Sequence, residues 1–79
     1  MRLDKFLKVS RLIKRRTVAK EACDKGVILI NGKIAKAGDV VNPKDIIEIN
    51  MGNKPIKVEV LDVKEHVSKE EAIEMYKLI

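Results

Sequence analysis

Aromatic side chains are nearly missing from this chain: one Phe, one Tyr and no Trp, 3% of 79 residues. Phe6 and Tyr76 cannot supply the platforms on which single-stranded bases stack, so recognition by base stacking is excluded. A core must instead come from Val, Ile, Leu and Ala, at a length near the lower limit for a self-sufficient one. Cysteine occurs once, as Cys23, which rules out an internal disulfide and a cysteine-based zinc site. Beside Ala22 and Val18, it reads as a small buried helix residue. Histidine also occurs once. His66 has no second ligand at metal spacing and reads as a surface or turn residue. No apolar run approaches the roughly 20 residues of a membrane span. Met1 to Val9 alternates charge with hydrophobe, where a secretory signal has a continuous apolar core. A cytoplasmic chain without membrane contact is expected.

Catalytic groupings are equally scarce. No nucleophile stands beside a base, and Asp39 and Asp45 are turn residues by composition. Gly26, Gly32 and Gly38 mark turns, and no Gly-Lys-Ser/Thr of a phosphate loop follows them. No enzyme activity, cofactor or metal is expected.

What the chain has is positive charge, unevenly placed. Met1 to Lys36 holds eleven Lys or Arg against three acids, a net of +8, whereas Ala37 to Ile79 holds six against nine, a net of −3. A basic surface this polarised on so small a domain points to a phosphate backbone as partner. Most of the bases lack the glutamate i+4 partner of a solubilising helix face, and Arg16 and Lys20 form a like-charge i, i+4 pair. Lys14, Arg15 and Arg16 cluster at a helix entrance, where open N–H groups already favour an anion. Without aromatics to stack bases, the expected target is folded RNA read by backbone and shape.

The periodicity predicts an α+β domain. Leu3, Phe6 and Leu7 place a first helix over Leu3 to Ser10, with Leu12 and Ile13 turned inward after it. Val18, Ala19, Ala22 and Cys23 place a second over Arg16 to Lys25, closed by Gly26. Val27 to Ile30, Asn31-Gly32 and Lys33 to Ala37 form a hairpin. Further strands fall at Ile46 to Ile49 and from Pro55 through Val60. Ser68 and Glu71 form a capping box that opens a last helix carrying Ala72, Ile73, Met75, Tyr76 and Ile79. Residues 1–67 are thus expected as the RNA-binding domain, and 68–79 as a C-terminal helix packed on or extending it. A helix-turn-helix with the hairpin as wing is the competing reading, but the second helix carries few side chains beyond Arg16 to read base edges. A protein-interaction module built on the acidic last helix is a third reading.

Arg2-Leu3-Asp4-Lys5-Phe6-Leu7, Lys14-Arg15-Arg16-Thr17-Val18-Ala19-Lys20 and Gly26-Val27-Ile28-Leu29-Ile30-Asn31-Gly32-Lys33 together resemble the alpha-L RNA-binding motif. That motif was first named for small-subunit ribosomal protein S-four. The resemblance covers about Met1 to Asn50 and implies two helices packed on a small, mostly antiparallel sheet. Over its whole length the chain is similar to the RqcP family of ribosome-associated quality-control factors, related to the small ribosome-binding heat-shock proteins. Glu70-Glu71-Ala72 and Met75-Tyr76 match that family too.

The family implies binding to obstructed large ribosomal subunits through 23S rRNA and P-site peptidyl-tRNA, as a monomer off the ribosome. It also implies support of alanine tailing by the partner protein RqcH; a general rRNA-binding or heat-shock ribosome factor is the alternative. Carried onto this sequence, the RNA-contacting positions are Arg2, Asp4, Lys5, Arg15, Arg16, Lys20, Asn31 and Lys33. The basic cluster adds Lys8, Arg11 and Lys14. Asp4 would orient a neighbouring arginine, with Arg16 the candidate. Arg2 with Lys5, and Arg16 with Lys20, are expected as two contact sets bridging two backbones. Many members place Ser or Thr before the second-helix arginine; here Arg15 stands there and Thr17 follows.

Overall fold

The computed structural model describes residues 1–79. Leu3, Phe6 and Leu7 are fully buried on one face of α1 (Leu3–Val9), as their spacing requires. Ala19, Ala22 and Cys23 on α2 (Arg16–Asp24) pack into the same core, their small side chains letting the two helices approach closely. Val18, expected inward, stands at the margin of that stripe and is partly exposed. Between the helices the chain reverses at Arg11, which adopts φ +64°. The Ile13 amide donates to the Leu7 carbonyl at 3.1 Å, and Ile13 closes over the core. Gly26, at φ +74°, ends α2 in the left-handed conformation that only glycine adopts without penalty.

Asn31 and Gly32 join β1 (Ile28–Ile30) to β2 (Lys33–Ile34) with φ of +51° and +82°, the paired positive values of a type I′ hairpin. β3 (Ile46–Ile49) and β4 (Ile56–Val60) continue an antiparallel sheet of order β2-β1-β3-β4-β5. Ile28, Ile47, Ile49, Val58 and Val60 face the helices and are buried. Leu29, Glu48, Lys57 and Glu59 occupy the other face, where Lys57 pairs with Glu48 at 3.9 Å. The fold is two layers, with both helices on one side of the sheet.

The C-terminal segment departs from expectation. The capping box is present: Ser68 Oγ accepts from the Glu71 amide at 3.2 Å, and Glu71 Oε1 accepts from the Ser68 amide at 3.2 Å. The helix it opens, α3 (Lys69–Ala72), lasts one turn and passes through a 3₁₀ turn (Ile73–Met75) into β5 (Tyr76–Leu78). A helix running to Ile79 is therefore not formed. The reason is the sheet: without β5, β4 would leave its backbone groups unpaired at an edge. Val60 pairs with Tyr76 and Val58 with Leu78 instead. Met75, fully buried, fills the corner, and its carbonyl accepts from Leu61 at 2.8 Å. A dozen residues of helix are marginal alone, so tertiary pairing decides. Residues 68–79 are thereby part of the same sheet and core as the rest of the chain.

Candidate nucleic-acid interface

The site is built around a buried carboxylate. Asp4, in the first turn of α1, is 3% exposed, and its oxygens receive two arginines from different elements. Arg2 donates from Nε at 3.2 Å and Nη2 at 3.5 Å. Arg16, at the start of α2, donates from Nε at 3.3 Å and Nη2 at 3.5 Å. The Lys5 amide completes the set at 2.9 Å. Burial alone would raise the Asp4 pKa, but the hydrogen bond and charge of Arg16, with smaller contributions from Lys5 and Arg2, hold it below its usual value. The carboxylate therefore stays ionised and acts as a fixed anchor.

Both guanidiniums remain about half exposed, at 55% and 48% for the side chains. Each uses two of five donors on Asp4, so the rest of both forks is presented to solvent in one place. Arg2 is held by the backbone as well: Leu3 donates to Asp39 at 2.8 Å, Val41 donates to Met1 at 2.8 Å, and Arg2 bridges Val40. Its guanidinium lies over Gly38, where a Cβ would come within 3.9 Å of Cζ. Two arginines held on one carboxylate leave paired N–H donors of the kind that suit a phosphate or carboxylate.

Asp4 pairs with Arg16 and equally with Arg2, so the guanidinium that precedes α1 and the one that opens α2 stand side by side. Arg15 is the extended residue that precedes α2, at φ −120°, and no side chain caps the helix. Thr17, placed after the arginines, leaves those first N–H groups open beside Arg15 and Arg16. Lys20 is exposed one turn further on, and Lys8, Arg11 and Lys14 are exposed at the other end of α1. Lys5 is engaged by Glu65, which no local pattern could reveal because sixty residues separate them. Asn31 has a structural use: Nδ2 donates to Asp45 at 3.1 Å, and Oδ1 accepts from the Ile46 amide at 2.9 Å. Of the two hairpin residues expected to contact RNA, that leaves Lys33 with its side chain unpaired.

Cys23 is buried, and burial first, then the charges of Asp4, Asp24 and Asp39, push its thiol up to about 11. It is packing, as its neighbours suggested. No helix is long and apolar enough to cross a membrane.

The S4 domain model matches residues 1–47, the stretch that holds both helices, the Arg2–Asp4–Arg16 cluster and the hairpin. The RQC P-site tRNA stabilizing factor of Halalkalibacterium halodurans is 59% identical over 99% of this chain and 89% of its own length. That of Streptococcus pneumoniae is 54% identical over 100% and 90%. The chain belongs to this family of RQC P-site tRNA stabilizing factors within the S4-domain proteins. Among solved structures, the Heat Shock Protein 15 of Vibrio cholerae, described as trimeric, superimposes with a TM-score of 0.92 at 25% identity. It covers 100% of this chain and 81% of the other.

Proposed function

We propose that this chain holds a P-site peptidyl-tRNA in place on large ribosomal subunits undergoing quality control, by binding RNA without chemistry of its own. The observation that carries the reading is the convergence of Arg2 and Arg16 on the buried Asp4 carboxylate. Family membership supports the ribosomal setting, because the relatives are named for stabilizing a P-site tRNA. The binding surface consists of Arg2, Arg15, Arg16 and Lys20, extended by Lys33 and by Lys8, Arg11 and Lys14. Lys5 supports it through Glu65, and Asp4 and Asn31 support it from within. The partners are 23S rRNA and the tRNA, and the outcome is continued alanine tailing of the stalled chain by RqcH. The factor acts in the cytoplasm, and as a monomer of 8.9 kDa when off the ribosome.

Two measurements test this. With four to six phosphates neutralised, log K for folded RNA falls against log salt with a slope of roughly −3 to −5. In cells, loss of the gene abolishes alanine tails, and Arg16→Ala reproduces that loss at normal protein levels. Tails that persist in the deletion strain, or co-sedimentation with small subunits, would refute the quality-control role. The likeness to Heat Shock Protein 15 favours a second reading, a general ribosome-binding stress factor. That reading predicts sedimentation with large subunits whether or not tailing is blocked.

A further inference from the structure

One acid from the second half of the chain is carried onto the basic half. Of the six ion pairs in the fold, the Lys5–Glu65 pair alone joins a base of residues 1–36 to an acid of residues 37–79. Glu65 lies in the segment that links β4 to α3, outside residues 1–47, so the S4 match does not account for it. That segment is pinned on both sides of Glu65: Val63 and Val67 pack against the core, and the Ser68–Glu71 capping box follows. The fold thus brings this carboxylate to α1 and keeps it there, although its side chain is 64% exposed.

The pair offers a donor and an acceptor side by side. Lys5 Nζ donates to Glu65 Oε2, which leaves the rest of the ammonium and Glu65 Oε1 without a partner in the protein. The hydrogen bond and charge of Lys5, with smaller contributions from His66 and the Met1 amino group, hold the Glu65 carboxylate below its usual pKa. It is ionised at neutral pH and can only accept. An acid on a face that receives polyanions repels them unless it meets a donor. A DNA backbone has none, since its phosphate and sugar-ring oxygens only accept. An RNA backbone carries one at every nucleotide, the ribose 2′-OH.

We infer that Glu65 is a specificity-determining residue: its free oxygen accepts from a ribose 2′-OH while Lys5 holds a neighbouring phosphate, so that the chain takes RNA in preference to DNA. The inference rests on the RNA-binding reading above and adds to it the group that tells ribose from deoxyribose. On RNA the hydrogen bond offsets the repulsion of the carboxylate. On DNA the repulsion stands alone. The exposure of Glu65 suits this role and not that of an anchor. Asp4 is buried and holds two guanidinium forks, whereas Glu65 makes one contact to a flexible ammonium and fixes little.

The test uses the full chain with an RNA hairpin and a DNA hairpin of matching sequence, titrated by fluorescence anisotropy at one salt concentration. Wild type prefers the RNA. Glu65→Ala lowers the ratio of RNA to DNA affinity by about 3–10-fold, the worth of one hydrogen bond open to water. Glu65→Gln, which keeps an acceptor oxygen without the charge, falls between the two. The thermal midpoint changes no more than for an ordinary surface substitution. Replacing riboses of the hairpin in turn by their 2′-O-methyl forms gives a second readout. Methylation at the contacted ribose weakens wild type and leaves Glu65→Ala unaffected, a difference that a merely structural role would not produce. If Glu65→Ala strengthens RNA and DNA binding by the same factor, the carboxylate only repels and the inference is overturned. It is overturned as well if the ratio stays at the wild-type value while Arg16→Ala weakens RNA binding, and the RNA-binding reading then stands. If Arg16→Ala binds the RNA hairpin like wild type, the RNA-binding reading itself fails.

Discussion

Asp4→Asn separates two opposite roles of a carboxylate that lies beneath a phosphate-binding pair. As a negative charge it repels the RNA; as an anchor it fixes Arg2 and Arg16 in one geometry. A phosphate seated on the outer side of the forks lies roughly 7 Å from the carboxylate, where repulsion in a water-like dielectric is about 0.6 kcal/mol. Releasing two long side chains that must then be immobilised on binding costs about 0.5–1.5 kcal/mol each. The anchor effect is the larger. Asp4→Asn keeps an oxygen for the Lys5 amide but turns an NH₂ toward guanidinium donors. Folded RNA should therefore bind about 5–30-fold more weakly, a loss of about 1–2 kcal/mol. Fluorescence anisotropy across a salt series measures it, and the salt slope should not change, because the same phosphates are contacted. An unchanged or tighter affinity would refute the anchoring argument.

The same substitution has a stability signature. Hydrogen bonds to a charged group are worth about 1.5–3 kcal/mol, but both arginines are half exposed and rehydrate readily. A loss of about 1–2 kcal/mol is expected after that discount. Because folding lowers the Asp4 pKa, this stabilisation is complete above the unfolded carboxylate range near pH 4. It fades as pH falls through the lowered folded value. Urea midpoints of wild type and Asp4→Asn should thus differ at neutral pH and converge in strong acid.

Arg16→Ala should weaken RNA binding by about 1.5–3 kcal/mol, and Arg16→Lys should recover only part of it, since an ammonium keeps the charge but not the fork; equal affinity for Lys and Arg would show that charge alone matters. Met75→Ala should lower stability by about 2–5 kcal/mol by emptying the corner beneath β5, and a urea midpoint within 0.5 kcal/mol of wild type, roughly the size of a surface substitution, would refute the packing. Cys23 should react with a thiol reagent only through opening of the fold, since its side chain is buried and its thiol raised to about 11; labelling at the rate of a free thiol would contradict its burial.

The first half of the fold was legible because its signals are local. Leu3, Phe6 and Leu7 reveal a helix by spacing, and Asn31-Gly32 reveals a hairpin by backbone conformation alone. The C-terminal segment was misread because two periods compete in it. Ala72, Met75, Tyr76 and Ile79 satisfy a helical repeat, whereas Tyr76 and Leu78 satisfy alternation against Val60 and Val58. The choice falls to an edge elsewhere in the molecule, and a capping box marks only where a helix begins.

The candidate site divides in the same way. The basic residues could be read from residue type, and the orienting role of Asp4 from the family resemblance, since a carboxylate placed among phosphate contacts has little other use. That Arg2 and Arg16 share one carboxylate could not, because it depends on the packing of α2 against α1 and on the pairing of the N-terminus with residues 37–41. Nor could the pairing of Lys5 with Glu65 be read. Sequence separation in such contacts has a functional consequence. A receptor built from Arg2, Asp4, Arg16 and the backbone around Gly38 exists only in the folded chain, with its charges already brought together against their mutual repulsion. Asp4 offsets that repulsion before RNA arrives. On the proposed reading the RNA meets guanidiniums that are already ordered and about half exposed, with donors that Asp4 does not take up.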